Sequence, residues 1–302
     1  MSKILFWSPY HGQGQTSNLY VISVIFSLMY KKRVLLLQTH YKNNNLESPL
    51  IGYNVDKESE ETELFEDIGI DMAITYSKMN RLDNNTLENC CLTFLDSTIL
   101  MMPGTKTRSK ETFDREIGGA VHRMLMAADD SVDVVFIDSN SSDDELSMRL
   151  MRTVDILVVN LTQHKYVLDK LFGKYGDYLI SNDKVFYLFG NYDDNSGYNI
   201  YNCRRKYNQY IKHGNSGTIP YCTKYMDAQN ESNVLQFLKE GLLHKRKNVI
   251  ITNVQKTLYD LKYGKYARDE KEEFFRNSIL TADKISHILH MPMKRNFGGR
   301  IS

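Results

Sequence analysis

A chain of 302 residues, 42% hydrophobic and 25% charged, has room for one large α/β domain or two small ones with an ordinary core, which excludes disorder as its main state. Its formal charge of +1 excludes a global field that would steer it to nucleic acid or an anionic membrane, so such contacts need a local patch. Cys90, Cys91, Cys203 and Cys222 show neither C-x-x-C spacing nor a histidine in metal-ligand register, and they read as reduced thiols of a cytoplasmic protein.

The apolar run after Met1-Ser2-Lys3 stops at Pro9, too short for a signal-peptide core with a cleavage site. No stretch reaches the roughly 18 uninterrupted apolar residues of a spanning helix. The expected location is therefore the cytoplasm, with peripheral contact at the inner face of a membrane as the alternative.

Residues 3–8 predict a buried strand, 9–15 a glycine-containing loop, 16–31 a helix and 33–39 a second strand without polar alternation, together a βαβ unit. Small helices are expected between 41 and 90, around an acidic stretch at 58–67 and the periodic Ile68, Met72, Ala73 and Tyr76. Leu92 to Met102 predicts one strand, 111–128 a helix, and Val132 to Asp138 a strand ending in a carboxylate. Helix 143–152, strand 155–161, helix 165–179, strand 184–190, helix 200–212 and a short strand at 218–221 continue the alternation. Regular β/α alternation implies a three-layer, mainly parallel sheet with helices on both faces. The predicted organisation is a domain over 1–245 and a helical extension over 246–302, where Phe275, Ile279, Ala282, Ile285, Ile288 and Leu289 mark an amphipathic helix at 272–290.

The loop His11-Gly12-Gln13-Gly14-Gln15-Thr16-Ser17 lies between the first strand and the helix it opens, where backbone N–H groups and the helix dipole can hold a phosphate. Gly12 and Gly14 let the backbone wrap closely, and the Thr16 hydroxyl is placed to ligate Mg²⁺. The regular motif G-x-x-x-x-G-K-[ST] is met only in part.

Pro9 through Ser17, the strand Val134-Val135-Phe136-Ile137-Asp138, Phe189-Gly190-Asn191-Tyr192 and Gly217-Thr218-Ile219-Pro220-Tyr221 resemble, in order, four motifs of MinD/ParA-type ATPases. These are the deviant P-loop, the Walker B strand, the adenine-contacting asparagine and the late "IP" strand. The resemblance spans about four fifths of the chain and implies a P-loop NTPase fold with ATP and Mg²⁺ as ligands. It further implies that Gly12, Gln13, Gly14, Gln15, Thr16 and Ser17 face the nucleotide, that Thr16 and Asp138 serve the metal, and that Asn191 meets the base.

Several positions depart from that pattern. Gln15 stands at the P-loop lysine, Tyr10 at the signature lysine that reaches across a dimer, and Pro9 at the first loop glycine; Gln38 and His40 match the paired aspartates after the second strand. Phosphoryl transfer needs positive charge on the β- and γ-phosphates and a group that orients water. Gln15 carries no charge, so a very slow ATPase or none is expected. His40, with an ordinary pKa near 6.5, is the residue available as a replacement base, against the plainer reading of a loop histidine.

The resemblance implies a homodimer with a protein partner in a larger assembly, the pilus-positioning TadZ group being the nearest analogue. The competing reading is an active enzyme, a weak ATPase or a tyrosine kinase, for which Tyr259, Tyr263 and Tyr266 would be the tail cluster. Acidic Glu272, Glu273 and Asp283 argue against a membrane-lying helix after the basic run 244–247, and the overall charge gives no sign of nucleic acid binding.

Overall fold

The computed structural model describes residues 1–41, 46–51, 68–107, 109–248 and 269–291. The apolar runs without alternation form strands buried on both faces: β1 (Ser2–Trp7), β2 (Val34–Gln38), β5 (Val134–Asp138), β6 (Ile156–Leu161) and β7 (Val185–Tyr192). With β3 (Leu92–Phe94), β4 (Ile99–Met102) and β8 (Ser216–Pro220) they make one eight-stranded sheet in the order β3-β4-β2-β5-β1-β6-β7-β8. Every pairing except β3 with β4 is parallel.

Successive strand side chains point to opposite faces, and β1 divides accordingly. Leu5 and Trp7 enter one core with Phe113 and Ile117 of α5 (Lys110–Ala128) and Leu168 and Phe172 of α7 (Lys165–Ser181). Ile4 and Phe6 enter the other with Ile22 and Phe26 of α1 (Gln15–Tyr30). The three-layer architecture expected from the alternation is the one observed. Short helices α2 (Ser48–Ile51), α3 (Ile70–Lys78) and α4 (Asn84–Asn89) follow β2, and α6 (Glu145–Thr153) follows β5.

The single strand expected over Leu92 to Met102 is instead the antiparallel pair β3 and β4. Leu95, Asp96 and Ser97 turn the chain with φ of 50°, 55° and 62°, and the Thr98 hydroxyl donates to the Leu95 carbonyl at 2.7 Å. The polar Asp96-Ser97-Thr98 segment cannot lie in a strand covered on both faces. The helix expected to run to 212 stops as α8 (Ile200–Lys206), because Tyr207 and Tyr210 turn back onto Phe172, Tyr210 stacked at 4.2 Å.

After β8 come α9 (Thr223–Asn230) and α10 (Val234–Asn248), the latter running through position 245. The last helix, α11 (Glu270–Ile288), packs on β8 and α1 with Phe274, Phe275, Ala282 and Ile285 in the same core as Phe26. It covers the edge of the sheet: the Thr218 N–H donates to Thr281 Oγ1 at 3.0 Å, and that hydroxyl donates to the Thr218 carbonyl at 2.9 Å. The acidic stretch 58–67, the tyrosines 259, 263 and 266, and the side chains of the basic run 244–247 lie outside the described residues. Among those residues no helix is long and apolar enough to cross a membrane.

Candidate functional site

The loop joining β1 to α1 turns at Gly12 and Gly14, with φ of 77° and 70°, a left-handed conformation that glycine adopts without the steric cost of a Cβ. Gly14 is the N-cap of α1, and its carbonyl accepts the first helical bond from the Asn18 N–H at 2.9 Å. A cavity of about 400 Å³ opens above this loop, lined by Gly12, Gly14, Thr16, His40, Gln229 and their neighbours. It sits at the carboxyl ends of β1 and β5, beside the strand where the sheet order reverses, the usual place for a ligand in an open α/β sheet. No lysine or arginine among the described residues lines it. The positive potential available there comes from the N–H groups and dipole of α1.

Gln15 turns back into the loop. Its Nε2 donates to Asp138 Oδ1 and to the Ser139 carbonyl, each at 2.6 Å, while its Oε1 accepts from Ser8 Oγ at 2.8 Å. Thr16 Oγ1 donates to the other carboxylate oxygen, Asp138 Oδ2, at 2.6 Å. Asp138 is completely buried, and Gln15 and Thr16 hold its two carboxylate oxygens with neutral donors. His40 Nε2 lies 3.6 Å from Asp138 Oδ2, and His40 Nδ1 is buried without a hydrogen-bond partner in the structure. Nearby Glu47 accepts from the Gly104 N–H, and burial raises its carboxyl above the usual range.

The other expected site residues divide. Gln13 lines the cavity, but its Oε1 is turned to the end of β6, accepting from the Thr162 N–H and hydroxyl at 3.1 and 2.7 Å. Ser17 is fixed by α9: its Oγ accepts from Gln229 Nε2 at 2.6 Å, and its carbonyl accepts from the Tyr225 hydroxyl at 2.7 Å. Asn191 is exposed at the end of β7, with φ of 46°, and is not among the lining residues. Tyr10 lies against α7 of its own chain, 5.6 Å from the Tyr166 ring and 5.6 Å from Lys170 Nζ. Gln38 is structural, accepting from the Leu46 N–H and donating to the His40 carbonyl.

Sequence reasoning missed Ser8, Ser141 and Gln229. Ser8 Oγ and Ser141 Oγ are 2.9 Å apart under the loop, and Ser8 follows the last residue of β1, the only local signal for its role. It also missed the reason for Gly190, where a Cβ would come within 2.7 Å of Asn18 Nδ2, the group that donates to Asn160.

The donor set suits Mg²⁺: Thr16 and Asp138 offer a hydroxyl and a carboxylate, hard oxygens 2.6 Å apart, on a cation that keeps most of its water. Space fits a phosphate as well, since a Cβ at Gly12 would meet nothing within 4 Å. No group of three His, Cys, Asp or Glu side chains among the described residues could cage a metal by itself.

Strand order, crossover helices and a glycine loop at the switch point define a P-loop nucleotide-binding fold. No protein-family model and no curated protein matches the sequence. Solved structures do match its fold. A ParA family ATPase from Chlorobium tepidum aligns with a TM-score of 0.60 at 16% identity, covering 78% of this chain and 92% of that one. MinD of Pyrococcus horikoshii complexed with Mg-ADP gives 0.59 at 12% identity over 97% of this chain and 100% of that one. A chain of the MinC:MinD complex of Aquifex aeolicus gives 0.56 at 12% over 95% and 96%. The fold is that of MinD/ParA-type P-loop ATPases.

Proposed function

We propose that this chain is a MinD/ParA-like protein with a degenerate phosphate loop, which binds Mg·ATP weakly and hydrolyses it very slowly or not at all. It acts as a homodimeric positioning or assembly factor for a larger machine at the cell envelope, of the pilus or secretion kind. The observation that carries the reading is Gln15: the side chain in the lysine position is neutral and its amide is already bonded to Asp138 and Ser139. Loss of one electrostatic stabiliser costs about 10²–10³ in rate, and Gln38, at one of the water-orienting carboxylate positions, is occupied with backbone groups. The cradle of Gly12, Gly14 and Thr16 supports binding without turnover. Dimerisation and a protein partner rest on analogy with relatives of this fold, one of which is a MinC:MinD complex.

The test is calorimetric titration of Mg·ATP into the purified chain, with Thr16→Ala/Asp138→Ala as control, together with phosphate release and sedimentation velocity. Saturable binding at millimolar nucleotide that the control loses, no turnover and a dimer are expected. Turnover abolished in both the control and His40→Ala would replace this reading with an ATPase that uses His40 as its base. No binding at all would leave a scaffold that kept only the fold.

A further inference from the structure

The near-neutral charge of the chain is unevenly spread. From Asn195 to Met226 there is no aspartate or glutamate, while Arg204, Arg205, Lys206, Lys212 and His213 crowd one short segment. The fold adds Lys284 from α11 to this cluster. Lys284 Nζ donates to the Ser216 carbonyl at 2.8 Å, Arg204 Nε donates to Ser216 Oγ at 3.0 Å, and Arg204 Nη2 reaches the same carbonyl at 3.5 Å. A guanidinium and an ammonium thus converge on one neutral acceptor.

Neither cation is within ion-pair distance of a carboxylate among the described residues. The nearest carboxylate in sequence, Asp283, accepts from the Tyr30 hydroxyl at 3.1 Å and lies 3.5 Å from His287 Nε2. Both cations are partly buried. Burial, then the neighbouring Arg204, lowers Lys284 to about 8; burial lowers Arg204; Lys284 and Arg204 together lower the exposed His213. The Arg204 shift reflects burial of its charge, and those of Lys284 and His213 include repulsion from a neighbouring cation. A partly desolvated pair of like charges is destabilising unless an anion joins it.

We propose that Arg204 and Lys284, with His213 beside them next to Lys212, whose carbonyl accepts from the same Ser216 Oγ, form an oxyanion site for a phosphate-class ligand such as phosphate or pyrophosphate. Arginine offers a planar fork and lysine two further N–H donors, the combination suited to tetrahedral oxyanions. The exposed ring of Tyr201, 6.0 Å from the Arg204 guanidinium, flanks it. This site is separate from the glycine-loop cavity: Ser216 begins β8, at the amino end of the parallel strands, whereas the loop lies at their carboxyl ends.

The experiment is calorimetric titration of inorganic pyrophosphate into the full chain and into the Thr16→Ala/Asp138→Ala variant, which disables the cavity alone. Saturable binding is expected in both, weakened about tenfold or more by Arg204→Gln or Lys284→Gln, severalfold by His213→Gln, and progressively by added salt. His213 is exposed, so its variant reports on the site even if one of the others fails to fold. No saturable binding at millimolar pyrophosphate, binding that survives all three substitutions, or binding lost only in the cavity variant would each overturn the assignment.

Discussion

Gln15 keeps a buried carboxylate satisfied without a positive charge, its amide donating to Asp138 Oδ1 and to the Ser139 carbonyl. Gln15→Lys places an ammonium beside Asp138 and the cavity. The expected result is Mg·ATP binding tighter by about tenfold, the worth of a charged hydrogen bond, with turnover still slow because Gln38 remains tied to the backbone. Unchanged affinity in calorimetry would show that position 15 does not face a phosphate. The glycine loop with Gly12, Gly14 and Thr16 was legible as a loop because strand, loop and helix follow one another in sequence, and Asp138 as the carboxylate that ends an apolar strand. The clamp itself was not, since Gln15 and Asp138 are 123 positions apart and meet only through the pairing of β1 with β5. Burial also acts on the thiols, pushing Cys90 and Cys203 up to about 11 and Cys91 higher still. The native protein at pH 8 should therefore leave a thiol reagent unconsumed until it is denatured. Above the ordinary thiol pKa of about 8.5 the unfolded chain loses these protons first, so stability should fall from there towards pH 11. A thermal midpoint that stays flat over that window would contradict the burial.

At the scale of elements, α11 replaces the missing neighbour of an edge strand. Thr281 does with one hydroxyl what a ninth strand would do with its backbone, and it fits because residue 217 is glycine: a Cβ there would come within 2.5 Å of Thr281 Oγ1. Thr281→Val keeps the shape and removes both bonds, leaving the buried N–H and carbonyl of Thr218 unpaired. A loss of about 1–3 kcal/mol is expected, seen as a lower urea midpoint with unchanged slope. An unaltered midpoint would mean that water reaches the strand edge. The amphipathic spacing of α11 was legible, as were the fully buried strands β2, β5 and β6. The β3–β4 turn was misread because apolar residues flank a polar break too short to look like a loop. Helix α10 went unread although Val234, Phe237, Leu238 and Leu242 carry helical spacing, a signal that was present in the sequence.

Across the whole molecule, the core under α11 is continuous with the floor of the cavity. Phe274 lies 4.9 Å from the Tyr225 ring, the Tyr225 hydroxyl donates to the Ser17 carbonyl, and Gln229 of the same helix both lines the cavity and holds Ser17 Oγ. This chain of contacts makes the position of the α1 amino terminus depend on a helix some 250 positions away in sequence. Ligand at ten times its Kd stabilises a folded protein by about 1.4 kcal/mol, so Mg·ATP should raise the melting temperature of the full chain by a few degrees. Phe274→Ala opens a cavity in the shared core at a cost of about 3–5 kcal/mol, and by loosening α9 it should also weaken nucleotide binding. Thr281→Val, which acts only on the far edge of the sheet, should lower stability and leave the nucleotide affinity as it was. If both substitutions shift affinity equally, or neither does, α11 and the phosphate loop are energetically independent and the continuity of the core carries no coupling.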